Sequence, residues 1–200
     1  PGMTVILASQ SASRRAMLDA AGVDYAAMPA HVDESTVKDA LLGEGHNPRQ
    51  IADALAELKA LKISLAHPVP LVIGSDSVVA VDGRLFEKPV DRAEAARHLS
   101  LFSGRTMSPV SAVVVAEGGR PVWRHVEEAR LQVRPLSEAF IAAYLDAEWP
   151  AIAGCVGCFR MEGPGAVQLF DRVRGDHFAI LGMPLLPLLG YLRERKAMPA

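Results

Sequence analysis

The chain has 200 residues, 50 % of them hydrophobic and 22 % charged, enough for one substantial core and ordinary for a globular protein. Its net charge is −2, so no broad basic face offers itself to a nucleic-acid polymer, and aromatic residues, at 6 %, advertise no base-stacking platform. The longest apolar tract, residues 180–192, is broken by Gly182, Pro184, Pro187 and Gly190. It is therefore too short to span a bilayer, and a cytoplasmic protein with no membrane partner is expected. Pro1-Gly2 ahead of Met3 look like the remnant of a cleaved tag. Residues 3–200 are expected to form a single domain, with room for two lobes around a central cleft.

Residues 4–22 read TVILASQSASRRAMLDAAG. Four apolar or small residues (Val5, Ile6, Leu7, Ala8) give way to Ser9-Gln10-Ser11-Ala12-Ser13 and the pair Arg14-Arg15, after which apolar character returns. The pattern predicts a short buried strand, a polar turn and a helix. Such a turn gathers hydroxyls, backbone N–H groups and two guanidinium groups at a helix N-terminus, where anions bind. A phosphate-binding loop and a plain N-cap with two solvated arginines both fit it. Residues 23–28 predict a second strand. Asp33 and Glu34 then stand side by side in a polar loop. They gain meaning if a further acidic residue and a phosphate site converge on them, because Mg²⁺ is held by carboxylates together with phosphate oxygens.

Pro48 opens a helix in which Ile51, Ala54, Leu55, Leu58, Leu61 and Leu65 recur at helical spacing. Lys59 and Lys62 lie on it, and a solvated face is the default expectation for both. Leu71-Val72-Ile73 predicts a compact buried strand, followed by Gly74-Ser75-Asp76-Ser77 and a second apolar run over 78–81. An acidic residue at the end of a buried strand is costly unless something pairs with it. That makes Asp76 the carboxylate best suited to metal binding or general-base work.

Asp82-Gly83 predicts a type I′ hairpin. Lys88 is held extended by Pro89, and Asp91 with Glu94 forms a capping box on the next helix. Two long strands are expected over 110–116 and 122–133, and Ser137 caps a further helix that Trp149-Pro150 ends. Residues 153–159 read as a strand rich in small residues that carries Cys155 and Cys158. With His177 the one plausible further ligand, this CVGC is expected to be structural and neither a redox pair nor half a zinc site. Gly163-Pro164-Gly165 marks a tight loop, 166–170 an apolar stretch, 172–177 a charged turn, and the chain closes on a short helix with a basic end. Strands and helices alternate and a long hairpin intervenes, which predicts an α/β protein with a mixed sheet flanked by helices.

These residues share a chemical logic. Ser9, Ser11, Arg14 and Arg15 offer anion donors, Lys59 and Lys88 offer point charges for phosphate, and Glu34 and Asp76 offer hard oxygen ligands for Mg²⁺ or Mn²⁺. The inventory suits attack on a polyphosphate, where a protein mainly positions groups and neutralises charge. Neither GxxxxGK[ST] nor GxGxxG occurs, which disfavours a P-loop NTPase and a Rossmann dehydrogenase.

The run LASQSASRRAML resembles the LASxSPxRxxLL signature of the Maf nucleotide pyrophosphatases. The resemblance continues through Val32-Asp33-Glu34, Lys59, Gly74-Ser75-Asp76, Glu87-Lys88-Pro89, Ser103-Gly104 and GMPLLPLL. It implies a fold related to the inosine triphosphate pyrophosphatases and a homodimer. It also implies hydrolysis of a nucleoside triphosphate to the monophosphate and pyrophosphate with a divalent metal (Mg²⁺, Mn²⁺ or Co²⁺), as house-cleaning of the nucleotide pool. By position it makes Asp76 the proton acceptor that activates water, or a metal-bound carboxylate close to it, with Glu34 and Lys88 completing the catalytic set. Glu34 would help hold the metal, and Arg14, Lys59 and Lys88 would bind the triphosphate.

The resemblance also associates three positions with base selection: Ser13, Ser77 and Glu162. Members acting on dTTP and UTP look like Arg, Thr and Gln there, and members acting on 7-methyl-GTP look like Trp, Gln and Glu. Glu162 and its surroundings, CFRMEGPGAVQLFDRVRG, resemble the 7-methyl-GTP branch, whereas Ser13 and Ser77 match neither set. A 7-methyl-GTP pyrophosphatase is expected. A dTTP/UTP pyrophosphatase and a nucleotide-binding regulator of septum formation without turnover are the alternatives.

Overall fold

The computed structural model describes residues 4–200, apart from the side chain of Pro164. The expected tag remnant, Pro1-Gly2, lies outside them. In chain order the elements are β1 (Val5–Leu7), α1 (Ala12–Ala20), β2 (Tyr25–Ala27), α2 (Glu34–Gly43), α3 (Pro48–Ala66), β3 (Leu71–Val81), β4 (Arg84–Phe86), α4 (Arg92–Phe102), β5 (Thr106–Glu117), β6 (Arg120–Glu128), β7 (Arg130–Val133), α5 (Glu138–Glu148), a 3₁₀ turn (Ala151–Gly154), α6 (Pro164–Leu169), β8 (Phe170–Arg174), α7 (His177–Leu181) and α8 (Leu185–Glu194). This is the expected α/β class, with parallel and antiparallel pairs in a mixed sheet and helices against it. The residues pack as two compact units. The first takes the chain up to Ser77, with Val110–Glu128 and Asp176–Ala200; the second takes Val78–Pro109 and Ala129–Gly175.

In the first unit β1 pairs in parallel with β2 and with the start of β3, Val5 facing Tyr25 and Leu71. The length of β5 from Val110 pairs antiparallel with β6. Val5, Ile6, Leu7, Leu71, Val72 and Ile73 are all buried, as expected where helices cover both faces of a parallel pair. Leu7, Leu18, Ile73, Val113, Leu188 and Leu192 belong to one buried cluster, each such side chain contributing about 1.5–3 kcal/mol by leaving water. Helix α3 starts on a capping box between Asn47 and Gln50, with Pro48 in its first turn.

Two expectations change here. The sequence around Asp76 reads as strand, polar turn, strand, yet β3 runs unbroken from Leu71 to Val81. It does not need to turn out to solvent because its polar side chains find partners in place: the Ser75 hydroxyl donates to the Ala112 carbonyl at 2.7 Å, and Asp76 meets Lys59. Glu34 was expected in a loop and instead opens α2, whose N-cap is Asp33. No residue of α2 is buried.

In the second unit β4 returns along the far end of β3 through Asp82-Gly83, whose φ angles of 51° and 76° fit the expected type I′ turn. Asp91 caps α4 and Ser137 caps α5. The rings of Phe86 and Phe102 meet edge-on at 4.8 Å. Strand β7 pairs antiparallel with β8 and with the first residues of β5. The single strand expected over 122–133 is interrupted at Ala129, whose N–H turns to the Pro109 carbonyl. The strand expected over 153–159 is absent. A 3₁₀ turn and tight turns replace it, with Gly157 and Cys158 at φ 90° and 60°. Of the apolar stretch 166–170, residues up to Leu169 lie in α6. Of the charged turn expected over 172–177, residues up to Arg174 lie in β8, and His177 opens α7, capped by Asp176. Among the described residues no helix is long and apolar enough to cross a membrane.

Candidate active site

The turn after β1 resolves into a cap. Ser9 Oγ accepts from the Ser11 N–H at 3.0 Å, and Ser11 Oγ accepts from the Arg14 N–H at 3.3 Å as the N-cap of α1. Both hydroxyls therefore serve the local backbone. Adjacent residues on a helix point about 100° apart, so the two arginines take different roles. Arg15 is exposed. Arg14 turns inward, its Nε donating to the Gly182 carbonyl at 3.0 Å and its Nη2 to Ser77 Oγ at 3.1 Å. Burial lowers its pKa, opposed by the negative charges of Asp76 and Glu34.

The centre of the first unit's polar cluster is Lys59, which the helical pattern led one to expect in solvent. It is 8 % exposed. Its ammonium donates to Asp76 Oδ1 at 2.9 Å and to the Ser75 carbonyl at 3.3 Å, and pairs with Glu34 Oε1 at 2.8 Å. Lys62, on the same helix, stays exposed as expected and donates to the His31 carbonyl. The cause is Gly74. A Cβ at that position would lie 2.2 Å from the Ala56 carbonyl oxygen and 2.7 Å from the Ala60 nitrogen. Glycine thus lets α3 settle directly on β3, and Lys59 meets a carboxylate two residues along the strand.

Asp76 is 5 % exposed, and its second oxygen, Oδ2, is buried without a hydrogen-bond partner. Burial pushes its carboxyl pKa up. Lys59 and Arg14 pull it back, and Glu34 adds to the rise. An orphan carboxylate oxygen is costly in a low-dielectric interior, and a divalent cation or a reacting water would satisfy it. Asp76 and Glu34, two hard oxygen donors bridged by one ammonium, are the residues that could hold a cation. Among the described residues no group of three or more His, Cys, Asp or Glu side chains has metal-binding geometry, so further positions would fall to substrate oxygens and water.

Ser13 and Ser77 also lie in this unit, their hydroxyls donating to the carbonyls of Leu181 and Gly182 at 3.0 Å each. Lys88 and Glu162, both exposed, belong to the second unit. There, α5 anchors the segment that carries Glu162. Tyr144 Oη donates to the Cys158 carbonyl at 2.6 Å, and the Glu148 carboxylate, 2 % exposed, pairs with Arg160 Nε at 2.8 Å. Cys155 and Cys158 are free thiols. Burial raises the pKa of both, that of Cys158 to about 12.

Sequence reasoning missed Ser111, the Gly182 carbonyl, Tyr144 and Glu148. Ser111 stands alone in an apolar run, and Glu148 follows Tyr144 by four residues on the apolar face of α5; those were the available signals.

The chain matches the family described as Maf-like protein over residues 4–195. A nucleoside triphosphate pyrophosphatase of Sphingopyxis alaskensis is 51 % identical over 98 % of this chain and 100 % of its own. A 7-methyl-GTP pyrophosphatase of Rhizobium etli is 45 % identical over 95 % of each chain. Among solved structures, a HAM1 protein from Coxiella burnetii aligns with 66 % of this chain and 73 % of its own, at 15 % identity and a TM-score of 0.43. The protein belongs to the Maf-like family, as the motifs from LASQSASRRAML to GMPLLPLL implied.

Proposed function

We propose that this chain hydrolyses a nucleoside triphosphate between its α- and β-phosphates, releasing the monophosphate and pyrophosphate, with 7-methyl-GTP preferred. The observation that carries the reading is Asp76, a buried carboxyl group with one oxygen on Lys59 and the other unpartnered. In this reading Asp76 takes a proton from a water molecule whose oxygen attacks the α-phosphorus. The bond to the bridging oxygen breaks, and its electron pair leaves with pyrophosphate. The raised pKa makes Asp76 a stronger base than an ordinary aspartate. Arg14, Lys59 and Lys88 neutralise phosphate charge. Glu34 and Asp76 would hold a divalent cation (Mg²⁺, Mn²⁺ or Co²⁺), which supplies further charge neutralisation on the phosphate oxygens.

The name of the Sphingopyxis relative supports a triphosphate substrate. That of the Rhizobium relative, with Glu162, supports the methylated base. Methylation at N7 makes guanine cationic, and a carboxylate can accept from its N1–H and N2 amine. A cytoplasmic homodimer is part of the same proposal, tested by light scattering at twice the chain mass.

Pyrophosphate release from 7-methyl-GTP, GTP, dTTP and UTP, with each metal, tests the activity. Release fastest from 7-methyl-GTP, with that preference lost in Glu162→Gln, is the expected result. dTTP and UTP ranking first would make this the pyrimidine enzyme. No release from any nucleotide would leave the septum-formation regulator as the reading.

A further inference from the structure

We infer that Ser13 and Ser77 position Arg14 for the phosphate chain rather than read the base. The inference rests on the proposed role of Arg14 as a triphosphate contact, and all the groups it uses lie in the first unit.

A hydroxyl has one proton to donate, and both serines spend theirs on backbone. Ser13 Oγ donates to the Leu181 carbonyl at 3.0 Å, tying the start of α1 to the end of α7, 168 residues away. Ser77 Oγ lies 3.0 Å from the Gly182 carbonyl and 2.9 Å from Ser111 Oγ. The Ser111 proton is already committed to the Ala179 carbonyl at 2.5 Å. Each of these neighbours of Ser77 is therefore an acceptor, so its proton points at them and a lone pair is left for Arg14 Nη2 at 3.1 Å. No donor remains on Ser77 for a base edge.

The same carbonyl completes the clamp. Gly182 O receives Arg14 Nε at 3.0 Å as well as the hydroxyl of Ser77, while the proton of nearby Ser75 goes to the Ala112 carbonyl. Gly182 has φ 132°, in the region that favours glycine, which aims this carbonyl where other residues would be strained. The guanidinium is thus held at two of its nitrogens before any ligand arrives. Fixing a long side chain in advance removes an ordering cost from binding. The benefit falls on any phosphate chain, whatever base it carries.

Inorganic tripolyphosphate, which has no base, separates the two roles. Its affinity in saturating Mg²⁺ is measured by calorimetry for the wild type, Ser77→Ala, Ser13→Ala, Arg14→Lys and the double variant Arg14→Lys/Ser77→Ala. Ser77→Ala should weaken binding roughly fivefold and Ser13→Ala roughly twofold, at the scale of losing one ordinary intramolecular hydrogen bond. The double variant should bind no more weakly than Arg14→Lys alone, because the serine acts through the arginine. With nucleotides, KM should rise by one common factor for 7-methyl-GTP, dTTP and UTP, with kcat and their ranking retained.

Unchanged tripolyphosphate affinity in Ser77→Ala, an additive loss in the double variant, or a changed ranking of nucleotides would each overturn the inference. A wild type that binds no tripolyphosphate would overturn it too. A wild type that binds tripolyphosphate in the expected pattern but turns over no nucleotide would defeat the proposed activity and leave the positioning role standing.

Discussion

Asp76 joins a stability cost to a chemical use. Burial raises its folded-state pKa, so the folded chain keeps the proton over a pH interval in which the unfolded chain has lost it. Its contribution to stability therefore falls as pH rises from the ordinary carboxylate range through the raised value. Asp76→Asn should flatten that part of the profile, seen in melting temperature against pH for both proteins. The same substitution should lower kcat about 10³-fold with little change in KM, within the usual contribution of a general base, measured by pyrophosphate release. Wild-type activity surviving in Asp76→Asn would exclude it as the base.

Between elements, the decisive contact is α3 against β3 at Gly74. Gly74→Ala would place a Cβ 2.2 Å from the Ala56 carbonyl, and backbone cannot yield as a side chain can. The variant should lose about 3 kcal/mol in urea unfolding, as overpacking at a close backbone approach does. Activity should fall at least tenfold, a rough figure for misplacing a positioned group, because α3 carries Lys59. Unaltered turnover in a destabilised Gly74→Ala would show that the Lys59–Asp76 contact is not needed for the reaction. In the second unit α5 does comparable work, its Tyr144 and Glu148 fixing Cys158 and Arg160 on either side of Phe159. Neither arrangement shows in helical periodicity, which records which face is apolar and not how closely a backbone is approached.

For the whole molecule, a ligand that binds only the folded chain stabilises it by mass action. Mg²⁺ held by Glu34 and Asp76 should raise the melting temperature with concentration. At a hundredfold excess over the dissociation constant the gain is about 2.7 kcal/mol. Glu34→Gln should shift that titration to higher Mg²⁺, and a melting curve indifferent to Mg²⁺ would tell against the cation site. The readout does not depend on turnover, so it separates binding of the cation from its use.

Much of this protein was legible in its sequence. β1, α1, α3 and the Asp82-Gly83 turn are set by neighbouring residues: an apolar run, an N-cap serine, Pro48 with its capping box, a dipeptide that tolerates positive φ. That Asp76 would be paired was legible too, because an acidic residue inside an apolar run demands a partner wherever it lies. What local sequence could not supply was the partner. Lys59 is buried only because Gly74 lets α3 close on β3, and Glu34 reaches it from a helix with no buried face to announce it. Arg14 was singled out over Arg15 by resemblance, but its clamp is made of the Ser77 hydroxyl and the Gly182 carbonyl, 63 and 168 residues further on. Patterns along a chain determine which segments fold and which face is dry. The acceptors and counter-charges that give a polar side chain its role are fixed by close approach between segments distant in sequence, and that is decided by tertiary packing.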